Sequence, residues 1–250
     1  MKLMNMSNIL RLFLASLTIL LTSGQPMVAD ESAALKKLSA SIEGEPNIKR
    51  NDAGAIIAIS LNAPDLTNED LALFNEFEAL ERLTISHAGY AGLRDKGNKK
   101  TGVDFSGVRH LKAHPSLNYF SAGGAVGAEY LEGLAELDQV TELYIQTTNS
   151  TDEDWAPIGL MEHLTYLGIR VRNDRMSQLT DDLFLQLMPL RNLERFLLSE
   201  MTFEDPATFV EFIVSRPKLE ELIIRRSNLS EQALATIREA KPELAIQVRD

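Results

Sequence analysis

Val140–Leu164 reads V-T-E-L-Y-I-Q-T-T-N-S-T-D-E-D-W-A-P-I-G-L-M-E-H-L. An apolar anchor at Val140 is followed by Leu143 and Ile145, whose two-residue spacing puts both on one side of a short strand. A polar bend comes next, then Trp155 and Ile158, three apart on a helical face, and a new anchor at Leu164. One unit thus holds a strand, a bend and a helical segment, and both regular parts turn an apolar side to the same core.

The unit recurs. The pattern apolar-x-x-apolar-x-apolar begins at Ile56, Leu80, Leu117, Val140, Leu164, Leu193 and Leu219, with successive spacings of 24, 37, 23, 24, 29 and 26 residues. A further anchor is expected at Leu244, 25 residues on. A second periodicity runs in step with the first: Leu71 and Phe74, Trp155 and Ile158, Phe184 and Leu187, and Leu234 and Ile237 are each three apart. Periods of about 20–29 residues mark a solenoid of leucine-rich repeats, in which each unit covers its neighbour's core. Seven stacked strands span an arc of roughly 30 Å.

Alternation along each strand leaves three outward columns. The first is Ala58, Arg82, Tyr119, Glu142, Tyr166, Arg195 and Glu221; the second is Ser60, Thr84, Ser121, Tyr144, Gly168, Leu197 and Ile223. The third is Asn62, Ser86, Gly123, Gln146, Arg170, Ser199 and Arg225. Tyrosine and arginine are common interface anchors, and Leu197 beside Ile223 is expected as exposed apolar surface. The expected protein-binding patch is therefore Tyr119, Tyr144, Tyr166, Arg170, Arg195, Leu197, Ile223 and Arg225.

At the start, Lys2 and Arg11 precede the apolar run 12–21, and small residues follow at Thr22, Ser23 and Gly24 and again at Val28 and Ala29. This reads as a signal peptide cleaved after Gly24 or after Ala29, the second preferred and giving 1–29. The run is too short to span a bilayer, so no stable membrane insertion is expected after cleavage, and the chain is expected in the periplasm or outside the cell. Residues 30–55 are expected to form an N-terminal cap. Leu35, Leu38 and Ile42 have helical spacing from a start near Glu31 and Ser32, and the turn Asn51-Asp52-Ala53-Gly54 joins two extended runs as a hairpin. Residues 56–250 are the repeat array, with a closing strand at the end.

Residues 1–29 hold two basic residues and no acid, so a chain without them carries 23 Lys and Arg against 36 Asp and Glu, a net charge of −13. Such a surface disfavours nucleic acid and points to a basic partner wherever electrostatics contribute. With no cysteine, disulfides and thiolate metal sites are excluded.

Chemistry is sparse. The 37-residue spacing contains an insert at about 88–105 rich in glycine, with Arg94, Lys96, Lys99 and Lys100, and its loop is a candidate contact. Gly92–Gly97 mimics a phosphate loop, but Asn98 stands where the lysine belongs. His110 and His114 are four apart, yet Leu111 replaces the glutamate a zinc protease needs, so they read as a surface pair on a helix over 108–117. Acids at Glu69-Asp70, Asp152-Glu153-Asp154 and Asp181-Asp182 fall at helix starts, where they cap free amides. Neither a metal, a cofactor nor a catalytic residue is implied.

The segments Leu66-Thr67-Asn68-Glu69-Asp70-Leu71 and Leu179-Thr180-Asp181-Asp182-Leu183, with the cap I-K-R-N-D-A-G-A-I-I-A-I-S-L, carry a further resemblance. The chain resembles exported bacterial leucine-rich repeat proteins, planctomycete-like, with repeats of the ribonuclease-inhibitor-like or cysteine-containing type, over about Leu35 to Val248. It departs from them where Ala122 replaces a large anchor and where spacing is uneven. The resemblance implies an α/β fold: a right-handed strand-turn-helix superhelix with a parallel sheet on its concave face. It also implies a non-enzymatic module that binds a protein partner through that face. The alternative from another class is a self-associating structural component of the cell envelope.

Overall fold

The structure is a computed structural model and describes residues 25–63, 65–88, 106–124, 127–147, 150–171 and 178–249. Residues 1–24 of the expected signal peptide and the insert from 89 to 105 lie outside the described residues.

Helix α1 (Gln25–Leu38) leads to strand β1 (Asn47–Arg50), and eight further strands follow: β2 (Ile56–Asn62), β3 (Arg82–Ala88), β4 (Tyr119–Gly124), β5 (Glu142–Thr147), β6 (Tyr166–Val171), β7 (Arg195–Ser199), β8 (Glu221–Arg225) and β9 (Ala245–Arg249). They form one sheet in sequence order. β1 pairs antiparallel with β2, and every later pair is parallel. This repeated parallel strand, with a helical return in each unit, is a leucine-rich repeat solenoid.

The returns are short because each repeat leaves few residues for them. They are 3-10 turns at Asp70–Glu76, Ser106–Leu111 and Glu153–Trp155, and α2 (Ala128–Ala135), α3 (Ala156–Gly159), α4 (Leu183–Gln186), α5 (Ala207–Val214) and α6 (Glu231–Ala240). All seven anchors are buried, as are the four helical pairs expected from their three-residue spacing. Each fully buried aliphatic or aromatic side chain contributes about 1.5–3 kcal/mol, so the stack is held chiefly by this continuous core.

Three local expectations are corrected. Helix α1 starts by Gln25, so Glu31 lies within it, buried, where its carboxylate accepts from Ile56 N (3.1 Å) and Arg50 Nη1 (3.1 Å). The helix expected over 108–117 ends at Leu111, because Pro115 disfavours helical backbone at His114. The closing strand pairs Ile246 with Leu222 and Val248 with Ile224, one residue earlier than an anchor at Leu244 requires.

His114 is consequently buried, and only His110 is exposed. Nδ1 of His114 accepts from Ser116 N (3.2 Å) and Leu117 N (3.1 Å), so the proton sits on Nε2, which donates to Phe77 O (3.1 Å). The residue three before the anchor has the same duty elsewhere: Arg216 donates to Leu190 O, and Lys241 to Arg216 O. In other repeats that position holds Leu137, Met161 or Leu190, all buried. Burial pushes the Arg216 guanidinium down to about 10, with Arg191 adding to the effect.

The acids at the bends do more than cap their own turns. Asp70 and Thr67 cap reciprocally, Thr67 N donating to Oδ2 (2.9 Å) and Asp70 N to Thr67 Oγ1 (3.2 Å). Asp152 instead reaches the next repeat, accepting from Thr180 N (2.9 Å) and Thr180 Oγ1 (2.6 Å). Asp181 likewise accepts from Glu204 N (3.0 Å) and Asp205 N (2.7 Å).

Candidate functional site

Strand register decides which side chains meet on the face of the sheet opposite the helices. Tyr119, Glu142, Tyr166, Arg195 and Glu221 are successive partners across β4–β8, as are Ser121, Tyr144, Gly168, Leu197 and Ile223. Gln146, Arg170, Ser199 and Arg225 form the third row. The outward columns read from the sequence are therefore rows of neighbours, broken only where β3 and β4 shift register after Ile85.

The first row is bracketed by charge. Glu142 stands between the two flanking tyrosines and accepts from Arg82 Nη1 (3.1 Å) and Arg195 Nη2 (2.9 Å). To reach it each guanidinium crosses a ring: Arg82 lies 3.8 Å from the centroid of Tyr119, and Arg195 lies 4.8 Å from that of Tyr166. The order Arg82-Tyr119-Glu142-Tyr166-Arg195 pins both rings from above through cation-π contact and a shared carboxylate. Tyr144 sits in the next row, half-buried like Tyr119 and Tyr166.

Gly168 makes room for this cluster. A β-carbon there would lie 2.4 Å from Tyr144 Cδ2 and 2.7 Å from the Tyr166 hydroxyl, so the two rings lean over bare backbone. Burial pushes the Tyr166 hydroxyl up to about 12, reinforced by Tyr119 and Tyr144. Burial also raises Tyr144 against the pull of Arg170 and Arg225. The hydroxyls are thus neutral at physiological pH and serve as hydrogen-bonding tips on an apolar patch.

Leu197 departs from its expected exposure: only 7% of it is accessible. It pairs with Gly168 on one side and Ile223 on the other, and the rings crowding the space above Gly168 stand beside it. Ile223 is half-buried. Leu197 thus supports the face from below, while Tyr119, Tyr144, Tyr166, Arg170, Arg195, Ile223 and Arg225 are at least partly accessible.

Beside the tyrosines a groove of about 460 Å³ is lined by Tyr144, Arg170, Ser199, Glu200, Arg225, Arg226 and Arg249. Glu200 Oε1 accepts from Arg170 Nη2 (2.8 Å), Arg170 Nε (3.1 Å) and Arg226 Nη1 (3.0 Å). Burial alone would raise the Glu200 carboxyl, but Arg170 and Arg226 hold it below its ordinary value. Glu200 and Arg226 each follow a strand with left-handed backbone, φ 64° and 49°. The chain as a whole is acidic, yet among the described residues this groove sets four guanidiniums against one carboxylate.

Glu200, Arg226 and Arg249 were missed in the sequence. The first two stand seven residues after the anchors Leu193 and Leu219, so one more column would have found them. Arg249 required the shifted register of β9. Among the described residues no group of three or more His, Asp or Glu could hold a metal ion, and no helix is long and apolar enough to cross a membrane.

No protein-family model matches the chain, and no curated protein matches its sequence. Solved structures do. Internalin C2 from Listeria monocytogenes is 14% identical with a TM-score of 0.43, covering 88% of this chain and 92% of its own. An internalin from the same organism is 18% identical with a TM-score of 0.40, covering 72% of this chain and 57% of its own. A leucine-rich repeat protein from Bacteroides eggerthii is 12% identical with a TM-score of 0.37, covering 90% of this chain and 49% of its own. By its own strand order, register and repeat period, this chain folds as a leucine-rich repeat solenoid.

Proposed function

We propose that the protein is an exported, non-enzymatic interaction module that docks a protein partner on the concave face of its solenoid. The observation that carries this reading is the tyrosine cluster. Three half-buried tyrosines stand on adjacent strands, and the Arg82-Glu142-Arg195 bracket fixes the rings of Tyr119 and Tyr166 before any partner arrives. Rigid aromatic anchors with polar tips favour binding because little side-chain entropy remains to be lost. Tyr119, Tyr144, Tyr166, Arg170, Arg195, Ile223 and Arg225 are the contact residues, with Leu197 as their buried support. Export is supported by Lys2, Arg11 and the apolar run 12–21. Residues 30–55 are read as the cap, since β1 covers the edge of β2 that would otherwise stay unpaired.

The test is affinity capture from the native envelope with the purified chain, followed by mass spectrometry. Replacing Tyr119, Tyr166 and Ile223 together by serine is expected to abolish capture of the specific partner while circular dichroism stays unchanged. Leu197 is left intact, because its substitution would damage the sheet. Undiminished capture by the triple variant would sink the reading.

A further inference from the structure

We propose that the groove beside Tyr144 is an anion-binding subsite that seats neighbouring carboxylates of an acidic peptide segment. The inference rests on reading this face as a protein-docking surface and names the chemistry of what docks there.

Charge supplies the first argument. The chain carries 36 acidic residues against 25 basic ones, so an arginine placed without regard to a ligand would meet acids more often than other arginines. The groove inverts that balance, with Arg170, Arg225, Arg226 and Arg249 gathered from β6, β8, the residue after β8, and β9. Gathering four like charges opposes folding, and among the described lining residues Glu200, shared between Arg170 and Arg226, is the carboxylate that offsets part of it.

An unmet donor is the second argument. Nε of Arg225 is buried and has no hydrogen-bond partner among the described residues, although the side chain lines the groove. A buried charged donor without an acceptor is costly, and turning the Arg225 guanidinium toward a ligand carboxylate in the groove would relieve that cost.

Backbone strain is the third. Glu200 and Arg226 adopt a left-handed conformation that side chains other than glycine seldom take. It is locked by Glu200 N donating to Arg225 O (2.9 Å) and Arg226 N donating to Arg249 O (2.9 Å). Strain held in place by surrounding bonds clusters at ligand clamps, and here it delivers both side chains to the groove.

Size and continuity select the occupant. At about 460 Å³ the groove exceeds what a single small oxyanion fills and lies in the range of ligand clefts. Its wall includes Tyr144, so a chain lying across the tyrosine cluster would run directly into it. A long polyanion such as nucleic acid would be repelled by the acidic remainder of the molecule, whereas a short acidic segment would not.

The experiment is calorimetric titration of the full chain at low salt with a hexaglutamate peptide, a hexalysine peptide and inorganic phosphate. Hexaglutamate is expected to bind, hexalysine not, and phosphate at least about tenfold more weakly than hexaglutamate. Arg225→Gln with Arg226→Gln is expected to weaken hexaglutamate binding about tenfold or more, and Arg249→Gln alone severalfold. Glu200→Gln is expected to strengthen it, because the internal carboxylate then no longer competes for Arg170 and Arg226; structural damage would not move affinity in that direction. Arg238→Gln, on α6 and outside both the groove and the tyrosine bracket, is the neutral control. Absent hexaglutamate binding, indifference to the arginine substitutions, or preference for hexalysine overturns the proposal, and phosphate binding as tight as hexaglutamate overturns the peptide as occupant. If hexaglutamate binding fails while the tyrosine triple variant still loses capture, the groove falls and the docking reading stands. Hexaglutamate binding with undiminished capture gives the converse.

Discussion

At the scale of single residues, the informative positions are polar groups that the core has absorbed. His114 occupies a column otherwise filled by leucine, methionine, phenylalanine, arginine and lysine, and it is neutral there because both ring nitrogens are committed to backbone groups. Burial lowers its pKa below the ordinary 6.5, only partly opposed by the carbonyls of Phe77 and Phe74. A depressed folded-state pKa means that the unfolded chain binds the proton more readily. The stability His114 contributes is thus fully present above about pH 6.5 and is lost as pH falls through the lower folded value. His114→Gln keeps a donor for Phe77 O but gives up the ring acceptor, and should cost about 1–2 kcal/mol at pH 7.5. Denaturant titrations at pH 7.5 and 5.5 should show the gap between wild type and variant narrowing at the lower pH. An equal gap at both would mean that His114 does not titrate on unfolding.

At the scale of elements, strand and register govern what each residue can do. The outward rows were legible because side chains alternate along a strand and because each repeat aligns with the next, so columns in the sequence become rows in the sheet. Tyr119, Glu142 and Tyr166 are neighbours for that reason alone. What alternation could not reveal was depth. Leu197 points outward and is still covered, since Gly168 on the adjacent strand admits two tyrosine rings over the backbone. Nor could it reveal Glu142 bridging Arg82 and Arg195, each two strands away, or the left-handed residues that carry the groove beyond the strand ends. The buried donors His114 and Arg216 were hidden because their acceptors are carbonyls of the preceding repeat, invisible until the repeats are stacked. Gly168→Ala tests the packing account directly. Its methyl group would force Tyr144 aside, so stability should fall by about 1–3 kcal/mol, and the tyrosine band in near-ultraviolet circular dichroism should weaken. An unchanged band would show that the rings do not depend on the bare backbone.

At the scale of the molecule, a stack of repeats is held together interface by interface, so damage should stay near where it is made. The C-terminal half contains an aromatic knot. Phe184 lies 4.9 Å from Phe209, 5.7 Å from Phe212 and 6.0 Å from Phe203, while Phe196 meets Phe212 at 5.3 Å and Phe203 meets Phe209 at 5.0 Å. These rings join α4, α5 and β7, and so tie the repeat that begins at Leu193 to the one before it. The N-terminal repeats are closed differently, by β1 and by the Glu31 carboxylate that binds Ile56 N and Arg50. Phe209 touches both Phe184 and Phe203, and Phe209→Ala would leave a cavity at the centre of the knot, at a cost of about 3–5 kcal/mol. Hydrogen exchange should then report faster opening of β7, β8 and β9 while β2, β3 and β4 keep their protection. The groove arginines on β8 and β9 belong to the loosened part, so hexaglutamate affinity should fall in this variant although no groove residue is touched. Uniform loss of protection from β2 to β9 would instead mean that the array unfolds as one cooperative unit, with the two ends coupled through the sheet.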